Sequence, residues 1–372
     1  MWGRSASGSE PPPVRMKGLV RRVVLGVAVG VAVYVGVTIW ADAGKVAEAL
    51  RAFRWRMAAL ACLLAAGNYL VRFLRWEYYL RVLGVRVAPR DSLSVFLAGF
   101  ALTVTPGKLG EAVKALLLRA SHGVPAARTA PIVIAERVTD LVALLLLALA
   151  GVFSFEVDRR FLVAAAALVA AGVLIVSVDP LAEAGLALAS RLPGVRRFAP
   201  KLAEFHRSTA MLLRPTPLLL ATVLSTASWM LECLAFWVVV SGFPGARVEL
   251  RAATFIYATM TVAGALSFLP GGLGVTEAGM LAMLVKFGVG LTRGSAAAAT
   301  FVTRACTLWF AVALGVPALL LYARRKHVEV PALATIGADS GSSPGPSSEP
   351  SDEPSSDFHA DVARDTPPGG IS

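Results

Sequence analysis

Apolar residues in this chain gather into long unbroken runs instead of the alternating or one-faced patterns of a soluble protein. Nearly uncharged stretches cover roughly 20–40, 57–80, 131–153, 161–178, 217–241 and 295–322. Each is long enough, at about 17 residues or more, to carry an α-helix across a bilayer core. Two further stretches, 93–118 and 252–289, are equally apolar but are interrupted by charge, proline and glycine. The pattern predicts an all-α, polytopic integral membrane protein with about six full transmembrane helices and two broken, re-entrant hairpins.

The interruptions are alike. Pro106-Gly107-Lys108-Leu109-Gly110-Glu111-Ala112 breaks the first stretch and Pro270-Gly271-Gly272-Leu273-Gly274-Val275-Thr276-Glu277-Ala278 breaks the second. An arginine follows each at nearly the same spacing, Arg137 after Glu111 and Arg304 after Glu277. Broken helices at matching positions of two halves tend to frame the binding site of transporters with internal repeats.

Charge decides how the hairpins are placed. The 13-residue apolar lead Leu93 to Thr105 is too short to cross alone, and a single crossing would put Lys108, Glu111 and Lys114 at mid-membrane. It would also put the loop 179–216, with Arg191, Arg196, Arg197, Lys201, Arg207 and Arg214, on the outside, against the positive-inside rule. With 93–118 re-entering from the cytoplasm and 252–289 from the opposite face, the N-terminus, this loop and Arg324-Arg325-Lys326 all lie inside. That is an inverted repeat. The expected divisions are a basic N-terminus (1–19), a transmembrane domain (20–325) and a tail (326–372). Within the transmembrane domain, the halves 57–178 and 217–322 flank the linker 179–216.

Arg15, Lys17, Arg21 and Arg22 precede the first run, which at 18 residues from Val23 to Trp40 exceeds a signal-peptide core of about 7–15. An uncleaved helix starting in the cytoplasm is expected. In the linker, Leu202, Phe205, Thr209 and Leu212 recur at helical spacing, predicting a short helix that either lies on the cytoplasmic surface or serves as an ordinary linker. The tail is rich in Ser, Pro, Gly and acid and is expected to be disordered.

Composition agrees with the runs. Hydrophobic residues make up 56% and charged residues 16% of the 372, with a mean hydropathy of +0.67. The net charge of +12 is uneven: residues 331–372 carry seven acids against Arg364, a net −6, which leaves +18 on residues 1–330. Lys and Arg in short loops beside apolar runs set topology and meet anionic lipid, so nucleic acid is excluded as a partner. Cys62, Cys233 and Cys306 all fall in apolar runs without pair spacing, which predicts packing residues and neither a disulfide framework nor a zinc site. The histidines at 122, 206, 327 and 359 are scattered, and no nucleotide loop, HExxH helix or G-x-S-x-G elbow occurs. No cofactor, metal or catalytic motif is expected.

The charges inside the runs are the candidates for chemistry. Asn68, Arg72 and Arg75 share one helical face at i, i+4 and i+7. A charge at a helix centre costs about 2.5–3.5 kcal/mol on insertion scales, so it faces a partner or a wet cavity unless it snorkels. Snorkelling here would set Arg72 and Arg75 at the cytoplasmic interface with Trp76, Tyr78 and Tyr79 as an aromatic belt. Glu136 or Asp140 either pairs locally with Arg137 or orients it toward an oxyanion, whose planar geometry a guanidinium matches in bidentate fashion. Arg304 has no acid within a helical turn and needs Glu277, Glu232 or a ligand. Glu111 and Glu277 each open a half-helix, either as a cap or beside an anion held by its free N–H groups. The candidate substrate-binding set is therefore Arg72, Pro106, Gly107, Lys108, Gly110, Glu111, Arg137, Asp140, Pro270, Gly271, Gly272, Gly274, Glu277 and Arg304.

Arg72-Phe73-Leu74-Arg75-Trp76, Pro106 to Glu111, Glu136-Arg137-Val138-Thr139-Asp140 and Pro270 to Glu277 together resemble the transmembrane region of lysylphosphatidylglycerol synthase, the flippase-like family. The resemblance covers about residues 20–325. It implies a membrane domain that moves a lipid between leaflets, without the aminoacyl-transfer domain of the bifunctional members. The expected function is translocation of an anionic-headgroup lipid, a phospholipid or a polyprenyl-phosphate carrier, across the inner membrane. The alternatives are an integral-membrane glycosyl or headgroup transferase using Glu111 and Glu277, and a non-transporting scaffold whose acidic tail recruits a soluble partner. A homo-oligomer is also open.

Overall fold

The computed structural model describes residues 30–39, 41–104, 112–152 and 199–326, with single positions at 28 and 167. The stretch 161–178, most of the linker, the N-terminus and the tail lie outside the described residues. Among those described, the chain is built from helices, with one isolated antiparallel bridge between Arg247 and Val289.

In chain order the helices are α1 (Gly30–Ile39), α2 (Ala43–Ala52), α3 (Trp55–Val82), α4 (Pro89–Gly99), α5 (Val113–His122), α6 (Ala126–Thr129) and α7 (Pro131–Val152). After the linker come α8 (Ala199–Leu212), α9 (Pro215–Ser241), α10 (Leu250–Leu266), α11 (Val275–Phe287), α12 (Arg293–Arg304) and α13 (Phe310–Lys326). A π-helical turn, Ala305–Trp309, joins α12 to α13, so Arg293–Lys326 runs as one 34-residue rod. Local sequence sets many of the ends. Asp42 accepts a hydrogen bond from Gly44 N at the start of α2, proline occupies the first turn of α4 and α9, and Thr292 and Ser295 cap α12 reciprocally.

Three described helices are long and apolar enough to span a bilayer: α3, α9 and the α12–α13 rod. The 22-residue α7 is long enough but carries Glu136, Arg137 and Asp140 together. Each Pro-Gly stretch carries a pair of short helices: α4 packs on α5, and α10 on α11, the latter pair joined through the 3₁₀ turn Pro270–Gly272. With 11, 10, 17 and 13 residues, these four helices fall short of the about 20 residues a full crossing needs.

The polarity is inverted relative to a soluble bundle. On α3, Leu63, Leu70 and Leu74 face outward, Leu63 being 68% exposed, while Asn68 and Arg75 are buried. With no hydrophobic drive between helices in lipid, close packing depends on small residues. Gly315 of α13 comes so near the turn Phe100–Leu102 that a Cβ there would sit 2.3 Å from Ala101 N. Gly294 and the fully buried Ala296–Ala299 do the same for α12.

The core pair is α3 against α9. Around it the packing is crossed: α4 leans on α13, and α10 leans on α7. The linker helix α8 packs on α6 and α7, burying Leu212, Thr209 and Ser208.

Candidate functional site

Two helices, α7 and α9, converge on the polar face of α3. Asn68 donates to Glu232 on α9, while Arg72 donates to Asp140 on α7 at 2.8 Å and lies 5.2 Å over the Trp229 ring. Arg75, 1% exposed, donates to the other Asp140 oxygen at 2.5 Å, to Thr139 at 3.2 Å and to Ser225 on α9. Asp140 thus clamps two arginines. Snorkelling is ruled out for Arg75, and the aromatic belt is absent: Trp76 and Tyr79 are buried, bonded to Ser92 and in contact with Thr139. The face that periodicity marks as polar meets α7 and α9, with Arg72 also reaching the central cavity.

Glu136 and Asp140 do not take Arg137 as their salt-bridge partner. Glu136 receives Lys114 of α5 at 2.7 Å. The Lys114 stem crosses Gly99, where a Cβ would come within 2.9 Å, and its ammonium rests 4.6 Å from the Trp76 ring centroid. Arg137, half-buried, turns to the central cavity.

The second Pro-Gly motif is fully described. Gly271, Gly272 and Gly274 have φ of 62°, 68° and 91°, the left-handed region where a side chain is strained. Gly272 has a second reason to lack a side chain, because its Cβ would meet Gly264 Cα at 3.1 Å. Pro270 starts the 3₁₀ turn. Glu277, wholly buried, splits its carboxylate: one oxygen accepts from Gly274 N at 2.7 Å as a cap, and the other accepts from Arg304 Nε at 2.6 Å. Capping and ion pairing are therefore both present. Arg304 also donates to Gly271 O at 2.7 Å, which ties the rod to the turn. Glu232, the other candidate partner for Arg304, is bonded instead to Asn68 and Tyr257.

These groups enclose a cavity of about 390 Å³, within the range of ligand pockets. Arg72, Arg137 and Arg304 line it together with Glu232, Trp229 and Tyr257, and Gly271 and Gly272 form part of its wall. The apolar Leu266, Phe268 and Leu269 line another part and are exposed. Of the sequence candidates, Asp140, Pro270, Gly274 and Glu277 are not in the wall; Asp140 and Glu277 hold arginines that are. Pro106, Gly107, Lys108, Gly110 and Glu111 lie outside the described residues. The segment leading to them nonetheless reaches the second motif, since Val104 packs with Leu273 and Leu308 beside Gly271. Trp229 and Tyr257 were not among the candidates, and no feature of their surroundings in sequence separates them from other apolar-run aromatics. Glu232 was signalled, being the one charge between Pro215 and Ser241.

The family model described as the lysylphosphatidylglycerol synthase TM region matches residues 24–315. The chain belongs to this family. Within it, the chain is similar to two proteins of Methanothermobacter thermautotrophicus, each called a UPF0104 membrane protein. One is 28% identical over 309 residues, covering 77% of this chain and 90% of the relative. The other is 26% identical over 321 residues, covering 79% and 93%. Family membership agrees with the helical, multi-pass architecture and makes the membrane, not water, the medium against which the arginine-lined cavity is to be read.

Proposed function

We propose that this protein translocates an anionic-headgroup lipid, a phospholipid or a polyprenyl-phosphate carrier, across the inner membrane through the arginine-lined cavity. The observation that carries the reading is the triple arginine wall inside a membrane protein. Arg72 and Arg304 are each held by a carboxylate that does not itself line the cavity, and both stand in one wall with Arg137. Fixed guanidinium forks suit a phosphate, and the neighbouring exposed Leu266, Phe268 and Leu269 suit its hydrocarbon. In this reading the two broken hairpins belong to inverted repeats, re-enter from opposite faces and leave both termini cytoplasmic; rocking of the elements that carry them would expose the site to each leaflet in turn.

The transferase alternative needs a free carboxyl pair at Glu111 and Glu277. It is weakened by Glu277, whose two oxygens are committed to Gly274 and Arg304.

The test is leaflet exchange of a labelled phosphatidylglycerol or polyprenyl phosphate in proteoliposomes. Wild-type protein should move the lipid without altering its mass. Arg137→Ala and Arg304→Ala should each abolish the movement, and Arg304→Lys should restore it only in part. Wild-type rates in both alanine variants, or a chemically altered lipid with no exchange, would overturn the proposal.

A further inference from the structure

Among the described residues four carboxylates are buried around the cavity, and one differs from the rest. Asp140, Glu136 and Glu277 each form a salt bridge to Lys or Arg at 2.5–2.8 Å. Glu232, 6% exposed and in the cavity wall, has no Lys or Arg within ion-pair distance among the described residues. Its two oxygens accept from the Asn68 amide and the Tyr257 hydroxyl, both neutral.

That difference decides which carboxylate can change protonation. Protonating any of the three paired acids would strand a buried cation, which is strongly unfavourable. Protonating Glu232 strands none. Tyr257 O–H can donate or accept, and an Asn side chain offers its carbonyl oxygen as readily as its NH₂, so both neighbours can serve a carboxylic acid as well as a carboxylate. Glu232 also sits where substrate charge would arrive. Asn68 on α3 is bonded to it and Cys233 is its neighbour on α9, while Tyr69 and Arg72 on α3, Tyr257 on α10, Arg137 on α7, and Arg304 and Thr307 from the rod share its cavity wall. A phosphate drawn to Arg72, Arg137 and Arg304 consumes their positive field and places a second negative charge in the same low-dielectric volume, where one proton relieves the repulsion.

We propose that Glu232 takes up a proton when the anionic headgroup binds and releases it when the headgroup leaves, so that lipid movement is coupled to proton movement across the membrane. The inference rests on the proposed lipid translocation and supplies its driving force. By linkage, proton binding and lipid binding strengthen each other by the same factor.

The experiment separates the two readings. Full-length protein in weakly buffered detergent is mixed with fluorescent short-chain phosphatidylglycerol or polyprenyl phosphate, and bound lipid and proton uptake are read in the same sample, the latter with a pH dye. Wild type should take up close to one proton per bound lipid. Glu232→Gln, which keeps one acceptor oxygen, should lose that ratio at whatever affinity remains, and Tyr257→Phe should retain it. In proteoliposomes, an imposed pH gradient should bias wild-type lipid distribution toward the alkaline side, as expected when lipid and proton travel together, and should leave the Glu232→Gln distribution unbiased. Lipid binding without proton uptake, or leaflet exchange indifferent to the gradient, would overturn proton coupling and leave translocation standing. Failure of both probes to bind removes the translocation reading and this inference with it.

Discussion

The divided carboxylate of Glu277 makes a quantitative prediction. Its cap and its ion pair are lost together in Glu277→Ala, whereas Glu277→Gln loses only the ion pair, because the amide oxygen can still accept from Gly274 N while the charge facing Arg304 is gone. Removing one partner of a buried pair costs about 3–5 kcal/mol, whereas a helix cap is worth about 0.5–2 kcal/mol. Arg304 would keep its bond to the Gly271 carbonyl, which places Glu277→Gln near the lower end, about 3 kcal/mol, and Glu277→Ala about 1–2 kcal/mol beyond it. Removing the stranded cation as well, in Glu277→Gln with Arg304→Met, should recover about 2 kcal/mol, a coupling within the range for contacting residues. The assay is equilibrium unfolding in mixed detergent–SDS micelles, followed by far-ultraviolet circular dichroism. A Glu277→Gln variant within about 1 kcal/mol of wild type, with no coupling in the double mutant, would refute the reasoning and leave Glu277 a cap only.

Asp140→Asn should slow lipid exchange although Asp140 is outside the cavity wall, because the neutral amide leaves one acceptor oxygen where two arginines now share a carboxylate; an unchanged exchange rate at normal expression would remove its positioning role. Gly264→Ala should destabilise strongly, since its Cβ would lie 2.1 Å from Thr276 Oγ1, and Thr276→Ala should recover part of the loss on the same unfolding assay. In a cysteine-free background, cysteines at Val124 and Pro244 should be labelled by an impermeant maleimide from opposite faces; labelling from one face would end the inverted-hairpin topology.

Much of the fold can be read from the sequence because the membrane makes strong demands on length and charge. The runs 57–80 and 217–241 became α3 and α9 within two residues at each end, and the second Pro-Gly motif marks a real break, since proline and left-handed glycines cannot continue a helix. The helix α2 is hidden, having no apolar run and only Asp42 to announce it. The site is legible to a lesser depth. Spacing places Asn68, Arg72 and Arg75 on one face, but the spacing is the same whether that face meets headgroups or two other helices, so Arg75 reads as a snorkelling residue until α7 and α9 are in place. Sequence also sets capping against pairing for Glu277, where the carboxylate's second oxygen allows both. Partner choice is the hardest to see: Glu136 and Asp140 sit beside Arg137 on α7, and their salt bridges go instead to α5 and α3.

The crossed packing of the hairpins bears on how the chain is made. The surface of α4 that ends against α13 waits for residues more than 200 positions downstream. At synthesis rates of about 5–20 residues per second, that is a delay of about 10–40 seconds. Through it, α4 and α5 are too short to span the bilayer unaided, and Lys114 depends on Glu136 for its neutralisation. The newborn hairpin must therefore shelter in lipid, in the insertion machinery or against α7, so that emergence of the α12–α13 rod, the last described element, releases it into place.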